Sequence, residues 1–148
     1  MVYRLGMRAG KVICLRQNVN KVSLMVRYAF ELAVPGDDAG LRSVLRATPM
    51  QSSIATVTYE SEPSFFKSSC PAGADTDVMV CRDLDNSAMV GFGCRSIRSA
   101  FVNGHPQSVG YLSSLRCLPE YRNMGLVARG YRAMKKLHES SSSPAWYF

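Results

Sequence analysis

The dipeptide Asn103–Gly104 separates two long runs of strand-forming residues, and it constrains the fold more than any other feature. The first run covers residues 88–102 and the second covers residues 107–117. Asn-Gly favours the type I′ turn of a tight hairpin, because both residues tolerate positive φ angles. The sequence therefore predicts a long antiparallel hairpin as the centre of a sheet.

Further strands and helices are predicted around this hairpin. Residues 28–34 have the composition of a first strand, and Leu41, Val44 and Leu45 in the next segment have the spacing of one helix face. The other predicted elements are a strand at 53–60, a helical turn at 62–69, a strand at 77–83 and a strand beginning at Ala145. This order predicts a mixed α/β fold, with a mainly antiparallel sheet flanked by helices and a parallel crossover at its end.

A basic amphipathic helix is predicted from Asn123 to His138, after Pro119 ends the hairpin. Gly130 falls in the middle of its apolar side, where glycine costs about 1 kcal/mol relative to alanine. We expect the compensation to be a close approach of the helix to the sheet. The basic side chains at 129–136 are predicted to form a solvated face, whereas Tyr131, like Tyr111 in the hairpin, is predicted to lie in the core.

Composition and charge limit the class of protein. The 148 residues suffice for one domain, and no apolar run approaches the roughly 20 residues that span a bilayer. Residues 1–26 contain basic residues and no acid, which suggests a loosely ordered extension, with a transit peptide as the alternative. Residues 27–148 would then form the folded domain. Residues 86–148 carry eight basic and two acidic side chains, which favours an anionic partner there, with a solvated basic helix face as the alternative.

The cysteines point to a reducing compartment, and we expect the cytoplasm. They contain no C-x-x-C pair and are odd in number, so they indicate neither a zinc site nor a disulfide framework. We therefore expect no metal. The five residues are Cys14, Cys70, Cys81, Cys94 and Cys117.

The start of the basic helix has the residues of a phosphate-binding loop. A helix N-terminus exposes unpaired N–H groups, Gly125 would let an anion approach the backbone, and Arg122 adds a fork of donors. The alternative is a simple helix cap. Neither GxxxxGK[ST] nor GxGxxG occurs, which argues against a nucleoside triphosphate loop or a Rossmann site.

Residues 115–128, LRCLPEYRNMGLVA, resemble the acetyl-CoA signature of the GCN5-related N-acetyltransferases, R/Q-x-x-G-x-G/A after a strand and a proline-containing turn. The resemblance extends over residues 27–148. It departs from the family at Val127, where glycine or alanine is usual and Ala128 comes one place later. The family fold also continues past the strand at Ala145, so the chain resembles a member truncated at the C-terminus.

The resemblance implies an acyl-CoA N-acyltransferase fold and transfer of an acetyl group from acetyl-CoA to a primary amine by direct attack. A backbone N–H near Cys117 would polarise the thioester carbonyl. Glu120 is the acid nearest in sequence to act as base, and a surface position is the alternative. The residues implied to bind the cofactor are Leu115, Arg116, Cys117, Arg122, Asn123, Met124, Gly125, Leu126, Val127 and Ala128.

Two other functions compete with this one. The chain could be a CoA-binding fragment or pseudo-enzyme without the catalytic half. A nucleic-acid-binding module is disfavoured, because no aromatic residues alternate with the basic ones as stacking platforms. We expect a small-molecule or peptide amine as acceptor, no nucleic acid or membrane partner, and leave a homodimer open. Cys117 is assigned to core packing rather than to an acyl-accepting nucleophile.

Overall fold

The predicted hairpin lies at the centre of a five-stranded sheet. The structure is a computed structural model that describes residues 27–68, 75–140 and 146–147. The strands are β1 (Tyr28–Leu32), β2 (Met50–Gln51), β3 (Thr56–Val57), β4 (Asp75–Asp83), β5 (Ala88–Val102), β6 (His105–Cys117) and β7 (Trp146–Tyr147). The helices are α1 (Asp38–Ala47), α2 (Phe65–Ser68) and α3 (Leu126–Glu139), with 3-10 turns at Pro35–Asp37 and Pro119–Tyr121.

The hairpin forms as the Asn-Gly turn predicts. Asn103 and Gly104 have φ angles of 51° and 79°, and β5 and β6 pair from Val102↔His105 to Gly91↔Cys117. The strand order is β1-β4-β5-β6-β7, with antiparallel pairing up to β6 and parallel pairing of β6 with β7. The expected mixed sheet and the parallel crossover at its end are both confirmed.

The predicted strand at 53–60 is confirmed only at Thr56–Val57, which form β3. β3 pairs with β2, which precedes the predicted strand, and the two lie outside the main sheet. Ser52 explains the difference, since its side-chain oxygen accepts the N–H of Ala55 at 3.1 Å and its own N–H donates to the Ala55 carbonyl at 2.8 Å. This local turn folds the segment back on itself before a longer strand can form.

Each face of the main sheet is covered by one long helix. On one face, the apolar stripe of α1 packs against Val78, Val80 and Phe92, as its spacing predicts. On the other face, Leu126 of α3 packs with residues of β1, β4 and β5. The buried residues of the α1 stripe are Leu41, Val44 and Leu45, and the partners of Leu126 are Tyr28, Cys81 and Val90.

A bulge in β6 reverses which side chains face which helix. Cys117 pairs with Gly91 but Ser113 pairs with Cys94, so four residues of β6 oppose three of β5. Ser114 lies at this bulge with a φ of 53°. The odd-numbered residues of β6 therefore do not share one face, as simple alternation predicts, but change faces at Ser114. Tyr111, expected in the core, is instead 51% exposed.

Gly130 brings α3 close to the sheet, as predicted. A Cβ built on Gly130 would lie 3.3 Å from Cε1 of Phe30 on β1, tighter than ordinary van der Waals contact. The lost helix propensity is offset by this close packing of helix and strand.

We predict that Gly130→Leu lowers the free energy of unfolding by about 1 kcal/mol, and by at most about 2 kcal/mol. Overpacking against Phe30 costs about 1–3 kcal/mol, and the gain in helix propensity of about 1 kcal/mol offsets only part of it. Urea unfolding of the variant, alone and combined with Phe30→Ala, measures the effect. Gly130→Leu is expected to cost less when it is added to Phe30→Ala than when it is added to the wild type. A Gly130→Leu variant as stable as the wild type would show that the helix is not held at this distance.

An ion pair joins the start of β1 to the end of β4. Asp83 is fully buried, and the Arg27 guanidinium donates to it through Nη2 at 2.8 Å. The hydrogen bond from Arg27 lowers the pKa of Asp83, with further contributions from the Asp85 N–H and the Tyr121 hydroxyl. Because Tyr121 precedes α3, this carboxylate also helps to fix the loop that leads into the helix.

The lowered pKa of Asp83 predicts an acid-dependent loss of stability. The contribution is present above the ordinary aspartate pKa of about 3.9 and is lost as the pH falls through the lower folded-state value. Thermal midpoints of the wild type and Asp83→Asn should differ most near pH 7 and converge below about pH 4. Asp85→Asn, which removes an exposed acid beside the same arginine, is the control. A difference that stays constant with pH would contradict the assignment.

Candidate functional site

The loop between β6 and α3 follows a tightly bonded path. The Leu118 N–H donates to the Val90 carbonyl at 2.9 Å, which ties the end of β6 to β5. Tyr121 and Arg122 then donate their N–H groups to the carbonyls of Leu118 and Pro119 and close a 3-10 turn. The loop thus reaches the start of α3 in a fixed conformation.

Two residues with left-handed backbone set the beginning of α3. Asn123 and Gly125 have φ angles of 64° and 68°, which suit asparagine and glycine but exclude both from the helix. The helix therefore begins at Leu126, three residues later than predicted. Its first backbone bond runs from the Arg129 N–H to the Gly125 carbonyl at 3.2 Å. The preceding N–H groups, from Gly125 to Ala128, have no acceptor within the helix.

The space around Gly125 is open. A Cβ built there would find no heavy atom within 4 Å, so its φ angle, not crowding by the protein, requires glycine. Arg122 is exposed beside it, and its Nε donates weakly to the Cys117 carbonyl at 3.4 Å. Exposed N–H groups, the positive end of the helix dipole and a guanidinium therefore meet at one place, which favours binding of an anion.

Tyr28 anchors this loop to the sheet. Its ring packs edge-to-face on Tyr121 with centroids 6.2 Å apart, and its hydroxyl donates to the Met124 sulfur at 3.2 Å. Arg129 donates to the Tyr28 carbonyl at 3.1 Å and lies over the Tyr28 ring. The interpretation of Arg129 as part of a solvated face is therefore wrong, because aromatic residues of β1 attract its cation and withdraw it from water.

A cavity of about 360 Å³ opens between α3 and the sheet beside the β6 bulge. Most of its lining is apolar. The lining residues are Phe30, Met79, Cys81, Gly91, Phe92, Gly93, Cys94, Leu112, Ser113, Ser114, Leu115, Arg116, Cys117, Leu126, Val127, Gly130, Tyr131 and Met134. The cavity adjoins the first turn of α3, since Leu126 and Val127 belong to both.

The predicted cofactor residues form two adjoining groups. Leu115, Arg116, Cys117, Leu126 and Val127 line the cavity. The other five form the loop and first turn, at the helix end of the cavity; they are Arg122, Asn123, Met124, Gly125 and Ala128. Their roles toward a cofactor stay predictions, and all ten residues belong to the cavity lining or to the loop and first turn of α3.

Arg116 contributes mainly backbone to the cavity. Its guanidinium lies over the Tyr59 ring, 5.6 Å from the centroid, and its Nη1 donates to the Leu115 carbonyl. Its Nε is buried and has no hydrogen-bond partner among the described residues. The bulge explains this placement, because Arg116 pairs with Phe92, whose ring packs on the α1 side.

Burial disfavours ionisation of two cysteine thiols that line the cavity. Burial raises the pKa of Cys81 to about 12 and also raises the pKa of Cys117. A thiol with a raised pKa is a poor nucleophile, because the thiolate is the reactive form. These values support packing as the role of Cys117. Glu120 lies exposed on the 3-10 turn and is not part of the cavity lining.

Several residues of the cavity lining were not among the predicted site residues. Tyr131, expected in the core, is 51% exposed and lines the cavity. Gly91 and Gly93 were not recognised, although two glycines in one strand are a signal of close approach by another backbone or a ligand. Phe30, Met79 and Met134 carry no such signal, because apolar residues at these spacings indicate only a core.

Two other features are absent from the described part of the chain. No helix in residues 27–68 or 75–140 has the length and apolar character to cross a membrane. Within the same residues, no three histidine, cysteine or acidic side chains converge in a way that would hold a metal ion.

No protein-family model and no curated protein matches the sequence. Solved structures do match. An acetyltransferase from Trypanosoma brucei is similar with a TM-score of 0.59 and 15% identity, over 82% of this chain and 80% of that one. An aminoglycoside antibiotic 6′-N-acetyltransferase from Acinetobacter baumannii has a TM-score of 0.55 and 13% identity, over 81% and 77% of the two chains.

A transcriptional regulator from Bacillus halodurans is similar with a TM-score of 0.51 and 12% identity, over 81% of this chain and 79% of that chain. At such identities the likeness is one of fold, and a shared fold does not by itself assign an activity. The antiparallel strands, the final parallel pair and the helix on each face agree with the resemblance found at residues 115–128. The chain therefore has the fold of the GCN5-related N-acetyltransferases.

Proposed function

We propose that this protein is an N-acetyltransferase that transfers the acetyl group of acetyl-CoA to a primary amine by direct attack. One observation carries the proposal. The open N-terminus of α3, with Gly125 in left-handed conformation, adjoins an apolar cavity at the bulge of β6. An anion site next to an apolar channel fits a ligand with a charged head and a long, weakly polar arm.

The α3 N-terminus would bind the CoA pyrophosphate. The N–H groups from Gly125 to Ala128 supply donors without competing helical acceptors, and Arg122 supplies a charged fork. The fit is supported by the open space at Gly125, where a side chain would occupy the position of the anion. Val127 in place of a smaller residue leaves these backbone donors available, because its side chain lines the cavity.

The bulged edge of β6 would hold the arm and the thioester. β6 pairs with β7 only at Val109 and Gly110 in the described residues, so its edge beyond Gly110 has no partner strand there. The arm would pair with the edge at Leu115–Cys117. A bulge leaves a residue outside the strand ladder, and an N–H released in this way near Cys117 would polarise the thioester carbonyl.

Positioning would be the main contribution of the protein to catalysis. The amine nitrogen forms a bond to the carbonyl carbon, the carbon–sulfur bond breaks, and the thiolate is protonated as CoA leaves. The amine proton would pass to water or to Glu120 on the neighbouring turn. The apolar lining of the cavity would exclude water, which otherwise competes with the amine for the thioester.

A second candidate function is CoA binding without catalysis. It is favoured by the chemistry of the cavity, whose lining in the described part of the chain includes no carboxylate and no histidine. A protein of this kind would use the same α3 N-terminus and differ only in turnover.

We expect Gly125→Ala to abolish CoA binding and Gly104→Ala to leave it unchanged. Both glycines have positive φ and open surroundings, so both variants should lose a similar stability of about 1–2 kcal/mol. Only Gly125 lies at the proposed anion site. Isothermal titration calorimetry with CoA measures binding, and thermal unfolding checks that the two variants lose the same stability. Equal CoA affinities for the two variants would refute the anion site.

Turnover distinguishes the two candidate functions. With acetyl-CoA and a panel of small and peptide amines, thiol release detected with a chromogenic disulfide should rise above the hydrolytic background for at least one amine. It should be lost in Gly125→Ala and retained in Gly104→Ala. Binding of CoA without thiol release for any amine would favour the non-catalytic alternative, and absence of CoA binding would refute both.

A further inference from the structure

The floor of the cavity is a strip of β5 without side chains. Gly91 and Gly93 alternate with Phe92, which packs on the α1 side, so both glycines face α3. The flanking strands place larger residues on either side of this strip. These are Met79 and Cys81 on β4, which pair with the two glycines, and Leu115 and Cys117 on β6. The result is a trough between the sheet and the helix.

Different constraints account for glycine at positions 91 and 93. A Cβ on Gly91 would lie 2.6 Å from the Arg116 carbonyl oxygen, so the backbone of β6 excludes any other residue there. A Cβ on Gly93 would meet only Leu115 Cδ1 at 3.8 Å and Met134 Cε at 4.0 Å, which are ordinary contacts. Glycine inside a central strand weakens it. Close packing therefore does not account for Gly93, whereas preservation of the trough does.

α3 crosses this trough with its two ends fixed. Leu126 and Leu137 are its buried residues, and the part between them meets the sheet closely where Gly130 faces Phe30. At about 1.5 Å per residue, the eleven steps between the two leucines span about 16 Å. Met134, in the second half of this span, is a movable side chain above Gly93.

The trough extends farther from β6 than an acetyl group requires. Its lining extends from β6 across β5 to Met79 and Cys81 on β4, and to Phe30 on β1. Two strand spacings of about 4.8 Å place β4 about 10 Å from β6. Cys81, whose thiol stays protonated because of burial, adds no charge to this inner end.

We propose that the trough binds the acyl chain of the thioester, and that the preferred donor is a CoA thioester of a straight chain of about four to six carbons. Gly93 is the residue that sets the permitted length. This inference rests on the proposed function, extends its donor beyond acetyl-CoA, and concerns a part of the cavity that the CoA arm at the β6 edge would leave open.

Thioether analogues test the inference without turnover. S-ethyl-, S-butyl- and S-hexyl-CoA cannot transfer their chains, and their affinities are compared with that of CoA by calorimetry. Burial of each methylene should tighten binding roughly fourfold, so S-butyl-CoA should bind about 16-fold more tightly than S-ethyl-CoA.

In Gly93→Leu this gain in affinity with chain length should disappear. Gly93→Ala should reduce it and is the variant to use if leucine prevents folding. Gly36→Leu, at an exposed glycine with no neighbour within 4 Å, should keep the full gain.

The outcomes separate the two proposals. A gain with chain length that Gly93 substitutions remove supports the acyl trough. Affinities that are equal for all chain lengths, or that fall from S-ethyl-CoA onward, overturn the trough while CoA binding itself stands. An unchanged gain in both Gly93 variants also overturns it, because the chain would then lie elsewhere. Absence of binding for CoA and every analogue refutes the proposed function itself.

Discussion

The bulge of β6 is the constraint on which the rest of the site depends. The carbonyl of Arg116 approaches β5 so closely that residue 91 must be glycine. The extra residue at Ser114 then moves Leu115 and Cys117 to the α3 face. Without the bulge, those side chains would face α1 and the guanidinium of Arg116 would enter the cavity. One inserted residue therefore determines both the apolar character of the cavity and the path of the loop into α3.

The second constraint is the attachment of the loop to β1. A helix N-terminus can hold an anion only if its N–H groups are already directed at it, because ordering a loose loop would consume the binding free energy. Tyr28 supplies that order through Tyr121, Met124 and Arg129. The buried Asp83 extends the attachment to β4 and to Arg27. Ion-pair and aromatic contacts between residues far apart in the sequence thus hold the single loop that leads into α3.

Local chemistry explains what could be predicted from the sequence. The Asn-Gly turn, the α1 stripe and Gly130 depend on neighbours in the chain or on one simple packing demand, and all three agree with the structure. The start of α3 differs from the predicted one because asparagine tolerates both helical and left-handed backbone, and Asn123 has a φ of 64°. The bulge was missed since serines at 113 and 114 fit a regular strand equally well. The cavity depends on residues from five elements, so no single segment indicates it.

The distribution of packing in α3 connects stability with the proposed activity. The helix is buried at Leu126 and Leu137, whereas Val127 and Tyr131 remain about half exposed beside the cavity. A helix packed along its whole length would be more stable, yet it would close the space beside the β6 edge. Gly93 shows the same compromise in the sheet, because an alanine would fit there with ordinary contacts. Both the α3 wall and the β5 wall of the cavity are therefore packed less tightly than the fold would allow. Selection for an open ligand site would produce this result, since such sites often reduce the stability of the fold.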